Sequence, residues 1–129
     1  MKNKELLPRN EEITQSFLLL VDTYISDLLG KRIEKQLSTS DFADSLHIAS
    51  RHLSNTLKLT LNTSPCEIIE NRVIEEVKTL LTETDLSIAD ISHQFAYRDT
   101  TNFIKFFKGI TGVTPLQFRK RQKNTTNPM

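Results

Sequence analysis

Apolar residues recur along this chain at intervals of three and four, a period that admits helices and little else. Phe17, Val21, Tyr24, Ile25 and Leu28 form one stripe. Ile69, Val73, Val77, Leu80 and Leu81 form a second, and Phe103, Phe106, Phe107 and Ile110 a third. Residues so spaced share one face of an α-helix. No strand-like alternation of useful length competes with them. Five helix starts are also legible. Ser38 to Asp41 reads S-x-x-D, Ser64-Pro65-Cys66-Glu67 reads S-x-x-E, and Ser87 to Asp90 reads S-x-x-D. Asp99 precedes Thr100 and an apolar run, and Thr114-Pro115-Leu116-Gln117 reads T-x-x-Q. In each, a side-chain oxygen can accept from a backbone N–H that the helix leaves unpaired, and proline suits the first helical position. The pattern predicts an all-α fold of about seven helices, near 12–29, 39–45, 50–60, 65–81, 88–94, 100–110 and 115–121. It predicts one domain over 12–121, a flexible segment or linker remnant over 1–11 and a flexible tail over 122–129.

Composition removes several alternatives. With 3 glycines and 4 prolines in 129 residues, a turn-rich all-β fold is poorly supplied. With no tryptophan, the core must come from Leu, Ile, Val and Phe. Cys66 is the single cysteine, so no internal disulfide can form, which suits a reducing cytoplasm. No apolar stretch reaches membrane-spanning length. The polar start Met1–Glu12 lacks the apolar region of a secretory signal. No membrane partner is expected.

The net charge of +1 conceals an alternation. Between Leu46 and Pro65 the only charges are Arg51 and Lys58, both positive. Residues 66–90 are strongly acidic, and 91–129 carry seven basic residues against Asp99 alone. Two short-helix, turn, helix units fall on or beside the basic blocks, the first over 39–60 and the second over 88–110. The long helix at 65–81 lies between them. Such units suggest two helix-turn-helix elements.

Residues 84–121 carry a more specific pattern. Asp85-Leu86-Ser87-Ile88-Ala89-Asp90-Ile91-Ser92 leads to Phe95-Ala96-Tyr97-Arg98-Asp99. Asn102-Phe103-Ile104-Lys105-Phe106-Phe107-Lys108 follows, then Thr111-Gly112-Val113-Thr114-Pro115-Leu116-Gln117-Phe118-Arg119. The run resembles the C-terminal DNA-binding domain of the AraC/XylS family of transcription regulators. Upstream, Phe42-Ala43, Leu46, Leu53, Ser64 and Arg72 to Leu81 resemble the family's first helix-turn-helix and connecting helix. The resemblance covers roughly residues 17–121. It implies a homeodomain-like all-α fold and a sequence-specific DNA-binding regulator, activation being the commoner family outcome. The family's usual turn glycine is His47 in the first unit and Ala96 in the second, which predicts slightly altered turns. A glycine often found after the first recognition helix is Asn62, a residue that tolerates left-handed angles. The usual alanine after the second unit's isoleucine is Ser92, and Tyr97 stands where Phe is usual. The stretch between Tyr24-Ile25 and Phe42-Ala43 is a few residues longer than common.

In a helix-turn-helix the second helix enters the major groove, where base edges are distinguishable. A connecting helix of about 17 residues spans roughly 25 Å. That length suits two recognition helices set about one DNA turn, roughly 34 Å, apart. The first recognition helix offers Arg51, Ser54 and Asn55 to bases, with His52 packing beside the core. The second offers Thr100, Thr101, Ile104 and Lys105 as exposed positions, with Asn102 equally suited to the helix start. Phe103, Phe106 and Phe107 are core. Lys58, Arg98, Lys108, Arg119, Lys120, Arg121 and Lys123 are candidate phosphate contacts. Arg119 has a competing role bracing the last helix.

Enzymatic readings find no support. His47, His52, His93 and Cys66 lack a metal-ligand spacing, and no glycine-rich phosphate loop occurs. No catalytic residue, cofactor or metal is expected. Glu67, Glu70, Glu75, Glu76 and Glu83 suit a solvated face, or a surface for a protein partner such as RNA polymerase. A helical protein-interaction module built on that acidic helix is the alternative reading. Most AraC/XylS members carry an effector-binding or dimerisation domain ahead of this one, so such a domain is a further candidate partner.

Overall fold

Seven α-helices and no strand make up residues 2–126, the described part of the computed structural model; side chains are described for residues 9–123. In chain order they are α1 (Lys2–Leu29), α2 (Thr39–Ser45), α3 (Ser50–Leu61), α4 (Pro65–Glu83), α5 (Ile88–Gln94), α6 (Thr100–Thr111) and α7 (Pro115–Thr126). α2 and α5 have the bounds the sequence predicts, and α3, α4 and α6 end a residue or two later. Two ends differ more. α1 starts at Lys2 rather than near 12; Ile13 and Thr14 carry its buried stripe a turn before Phe17, and Arg9 pairs with Glu12 at 3.8 Å. α7 passes 121 because Lys120 to Lys123 are good helix formers and nothing among them breaks the helix. The segments expected to be flexible are therefore helical through Lys2 to Glu11 and through Gln122 to Thr126. Met1 and residues 127–129 lie outside the described residues.

All five expected helix starts are capped by the expected atoms. The Oγ of Ser38 accepts from Asp41 N–H at 3.2 Å, and Oδ2 of Asp41 accepts from Ser38 N–H at 2.8 Å. Thr114 and Gln117 form the same reciprocal box at 3.1 and 2.9 Å. Ser64 and Ser87 accept from Glu67 and Asp90 N–H at 3.1 and 3.0 Å, and Asp99 Oδ1 accepts from Thr101 N–H at 2.9 Å. Each cap supports its helix by about 1 kcal/mol. α3 differs: it is preceded by Ala49, which has no side-chain oxygen and makes no capping bond.

The chain forms two compact units. The first comprises the residues up to Asp27 and Leu37–Arg72. Its core is Ile13, Phe17, Val21, Tyr24 and Ile25 of α1, Phe42 and Ala43 of α2, and Leu53, Thr56 and Leu57 of α3. The Phe42 ring meets Phe17 and Tyr24 edge-on, with centroids 5.6 and 5.5 Å apart, the geometry aromatic quadrupoles prefer. The buried Tyr24 keeps its hydroxyl satisfied by accepting from Leu37 N–H at 3.2 Å.

The second unit comprises Leu28–Gln36 and the residues from Val73 on. Leu28, Val73, Ile74, Val77, Leu81, Ile91, Phe95, Phe103 and Phe107 fill its core. Phe118 of α7 leans on Phe107 at 5.8 Å, and Tyr97 meets Phe103 edge-on at 5.4 Å. Ser92 is fully buried among them, and among the described residues its Oγ has no hydrogen-bond partner. One expected core residue sits further out: Phe106 is half-buried beside Tyr97, while Ile110 of the same stripe, near the end of α6, is 41% exposed.

Candidate nucleic-acid interface

The turns of the two helix-turn-helix units repeat each other bond for bond. In the first, His47 N–H donates to Asp44 O at 3.0 Å and Ile48 N–H to Ala43 O at 3.1 Å. In the second, Ala96 N–H donates to His93 O at 3.0 Å and Tyr97 N–H to Ser92 O at 3.1 Å. Both turns pass through a left-handed residue, His47 at φ 60° and Ala96 at φ 65°. Neither residue is glycine, yet both adopt the left-handed angle and the two turns match each other. The side chain accepts the strained angle, because the two bonds after it require the chain to reverse there. Each second helix also ends left-handed, α3 at Asn62 (φ 55°) and α6 at Gly112 (φ 86°).

These turns present α3 and α6 with one face inward and one outward. On α3, Leu53, Thr56 and Leu57 are buried, while Arg51, Asn55 and Lys58 are exposed. Spacings of four and three put these three on one face. Ser54 lies at its half-buried edge. His52, expected to pack beside the core, is exposed next to Arg51. With the core at positions 53, 56 and 57, residue 52 falls on the flank of the helix, and that offset is the signal that identifies it as a surface candidate.

On α6, Phe103 and Phe107 are buried, and Thr101, Lys105 and Lys108 form the exposed row. Thr100 and Ile104 were expected to be exposed and are half-buried, since both adjoin the Phe103 stripe. Asn102 is exposed, and the helix start is capped by Asp99 instead. Neither α3 nor α6 contains an acidic residue. With helix dipoles adding positive charge at their starts, both outward faces suit a polyanion.

Most candidate phosphate contacts are placed on the surface. Lys58, Arg98, Lys108, Lys120, Arg121 and Lys123 are exposed. Arg119 is half-buried and takes a bracing role: its Nε donates to Leu81 O at 2.9 Å and a terminal nitrogen to Thr84 O at 3.3 Å. It thereby braces the last helix, α7, against Leu81 of α4 and Thr84 just after it. Glu67, Glu75 and Glu83 of α4 are exposed; Glu67 accepts from the Thr63 hydroxyl at 2.7 Å, and Glu75 pairs with Lys78 at 3.4 Å. Cys66 is an exposed free thiol whose pKa is raised by partial burial and by Glu70 and Glu67. Among the described residues no group of three His, Cys, Asp or Glu side chains could hold a metal ion, and no helix is long and apolar enough to cross a membrane.

A helix-turn-helix domain model matches residues 42–121, from the core of α2 into α7. The chain belongs to the AraC/XylS family of transcription regulators. It is 32% identical over 113 residues to the HTH-type transcriptional regulator YfiF of Bacillus subtilis, covering 87% of this chain and 34% of that protein. It covers 13% and 56% of two other Bacillus subtilis relatives, so it corresponds to part of each of these proteins. Among solved structures, the C-terminal domain of AraT, a response regulator from Geobacillus stearothermophilus, matches at a TM-score of 0.67 and 25% identity, over 81% of this chain and 84% of that one. The DNA-binding domain of the global transcriptional factor AdpA, solved with a target DNA, shares the fold at a TM-score of 0.67 and 15% identity, over 87% of this chain and 96% of that one. This AraC-type domain is thus all-α, with two helix-turn-helix units, and its relatives are transcriptional regulators.

Proposed function

We propose that this AraC-type domain reads a specific DNA sequence by inserting α3 and α6 into successive major-groove segments, and that it acts in the cytoplasm as a transcription activator. The observation that carries the reading is the matched pair of outward faces. Both second helices bury an apolar stripe, expose arginine, asparagine or lysine, and contain no carboxylate. Arg51 suits guanine and Asn55 suits adenine, with Ser54 at the edge of the same face. Thr101 and Lys105 are the foremost base contacts of α6, with Thr100 and Ile104 offering methyl groups to thymine from its flank. Lys58, Arg98, Lys108, Lys120 and Arg121 supply phosphate contacts that give affinity without sequence information. The exposed acids of α4 are the surface offered to RNA polymerase. An effector-binding or dimerisation domain is proposed as a further partner.

Selection of bound fragments from the source genome tests the reading. A particular duplex should be enriched and should stay bound against excess random duplex, with affinity falling as salt rises. Equal affinity for selected and random duplexes would sink it. A protein complex indifferent to Arg51 and Lys105 would favour the interaction-module reading.

A further inference from the structure

The loop between α1 and α2 carries Lys31, Arg32 and Lys35 against a single acid, Glu34. It is held against the turn of the second unit from both ends. The side-chain amide of Gln94 donates to Leu29 O at 3.3 Å, and that of Gln36 donates to Phe95 O at 3.3 Å. Lys31 itself is left-handed, at φ 58°, with its N–H on Leu28 O at 3.1 Å. A lysine in that conformation is fixed by its surroundings rather than chosen by propensity. Between loop and turn lies a groove of about 240 Å³, bordered by Lys31, Glu34, His93, Ala96, Tyr97 and Arg98. Lys31 and Arg98 are exposed, and among the described residues neither has an ion-pair partner.

We propose that this loop is a third DNA-contacting element, in which Lys31 and Arg98 each take a backbone phosphate beside the segment read by α6. The proposal rests on the DNA-binding reading above and extends it to Lys31, a residue outside both helix-turn-helix units. Position selects the partner. Arg98 directly precedes Asp99, the cap of α6, so the groove lies where the chain enters the recognition helix. When such a helix occupies the major groove, the chain at its start runs along the sugar-phosphate backbone. Two cations on either side of the groove outweigh Glu34 there, and the clasped loop backbone loses little freedom on contact.

Salt titration of binding to a random duplex isolates this contact, because it needs no sequence recognition. Each lost phosphate contact reduces the slope of log affinity against log salt by about one. Lys31→Asn removes the charge and keeps a residue tolerant of left-handed angles. It should flatten the slope by about one, and Lys31→Asn with Arg98→Gln by about two. Glu34→Gln should tighten binding, an outcome that misfolding does not produce. The preference for a selected duplex over a random one should be unchanged in all three variants. An unchanged slope in Lys31→Asn, or no gain in Glu34→Gln, overturns the proposal. Wild-type protein that does not discriminate duplexes overturns the regulator reading instead and leaves the slope test standing.

Discussion

Arg119 Nε donates to the carbonyl of Leu81 at 2.9 Å, joining α7 to the end of α4. α4 has no basic residue in its last turn; the Thr84 hydroxyl donates to Leu80 O at 2.6 Å, and Arg119 supplies positive charge at this negative end of the helix dipole. Arg119→Ala should destabilise the domain by about 1–2 kcal/mol, the worth of charge-assisted bonds in a half-buried setting. Arg119→Lys should fall between, since an ammonium cannot reproduce the two-pronged geometry. Urea unfolding checks both, and no loss of stability in Arg119→Ala would remove the brace.

Ser92 holds in the second unit the place that Ala43 holds in the first. It is fully buried, and among the described residues its hydroxyl bonds nothing. A buried polar group without a partner costs about 1–3 kcal/mol. Ser92→Ala should therefore stabilise by about 1 kcal/mol and raise the midpoint of thermal unfolding by several degrees. A fall in that midpoint would show that the hydroxyl has a partner in solution.

The left-handed turn residues invite a paired comparison. A non-glycine residue there costs about 1–2 kcal/mol, while glycine adds about 0.4–1 kcal/mol of unfolded-state freedom. Ala96→Gly should thus be stabilising by about 0.5–1 kcal/mol. His47→Gly should gain less, because histidine tolerates this conformation better than alanine does. Chemical denaturation of both variants reads the order, and a larger gain at His47 would contradict it.

Base and phosphate contacts differ in what they do to specificity. Arg51→Ala should cost about 1–3 kcal/mol on the selected duplex and relax preference at one position. Lys58→Ala should weaken selected and random duplexes alike. A panel of duplexes with single base changes separates them. Uniform weakening in Arg51→Ala would reassign it to the backbone.

What the sequence made legible was local. Helix starts at Ser38, Ser87 and Thr114 depend on atoms three residues apart, so short motifs expose them. Arg51, Asn55, Thr101 and Lys105 follow from the helical period, and all are exposed as it requires. Ser54, Thr100 and Ile104 border the core stripes, where the period alone does not fix burial. The brace from Arg119 to Leu81 and the clasps made by Gln36 and Gln94 join residues far apart in the chain. Nothing near those residues announces a partner, because the partner arrives only with the fold.

The bare start of α3 has a consequence in time. Asp99 holds the Thr101 amide of α6, but Ala49 offers the opening amides of α3 nothing. Those amides open to solvent within the sub-microsecond to microsecond range of helix-end fraying and should exchange hydrogen sooner than their counterparts in α6. Two helices of equal length thus have unequal lifetimes at their leading turns. The leading turn of α6 is pinned by its cap, and that of α3 is left to fray.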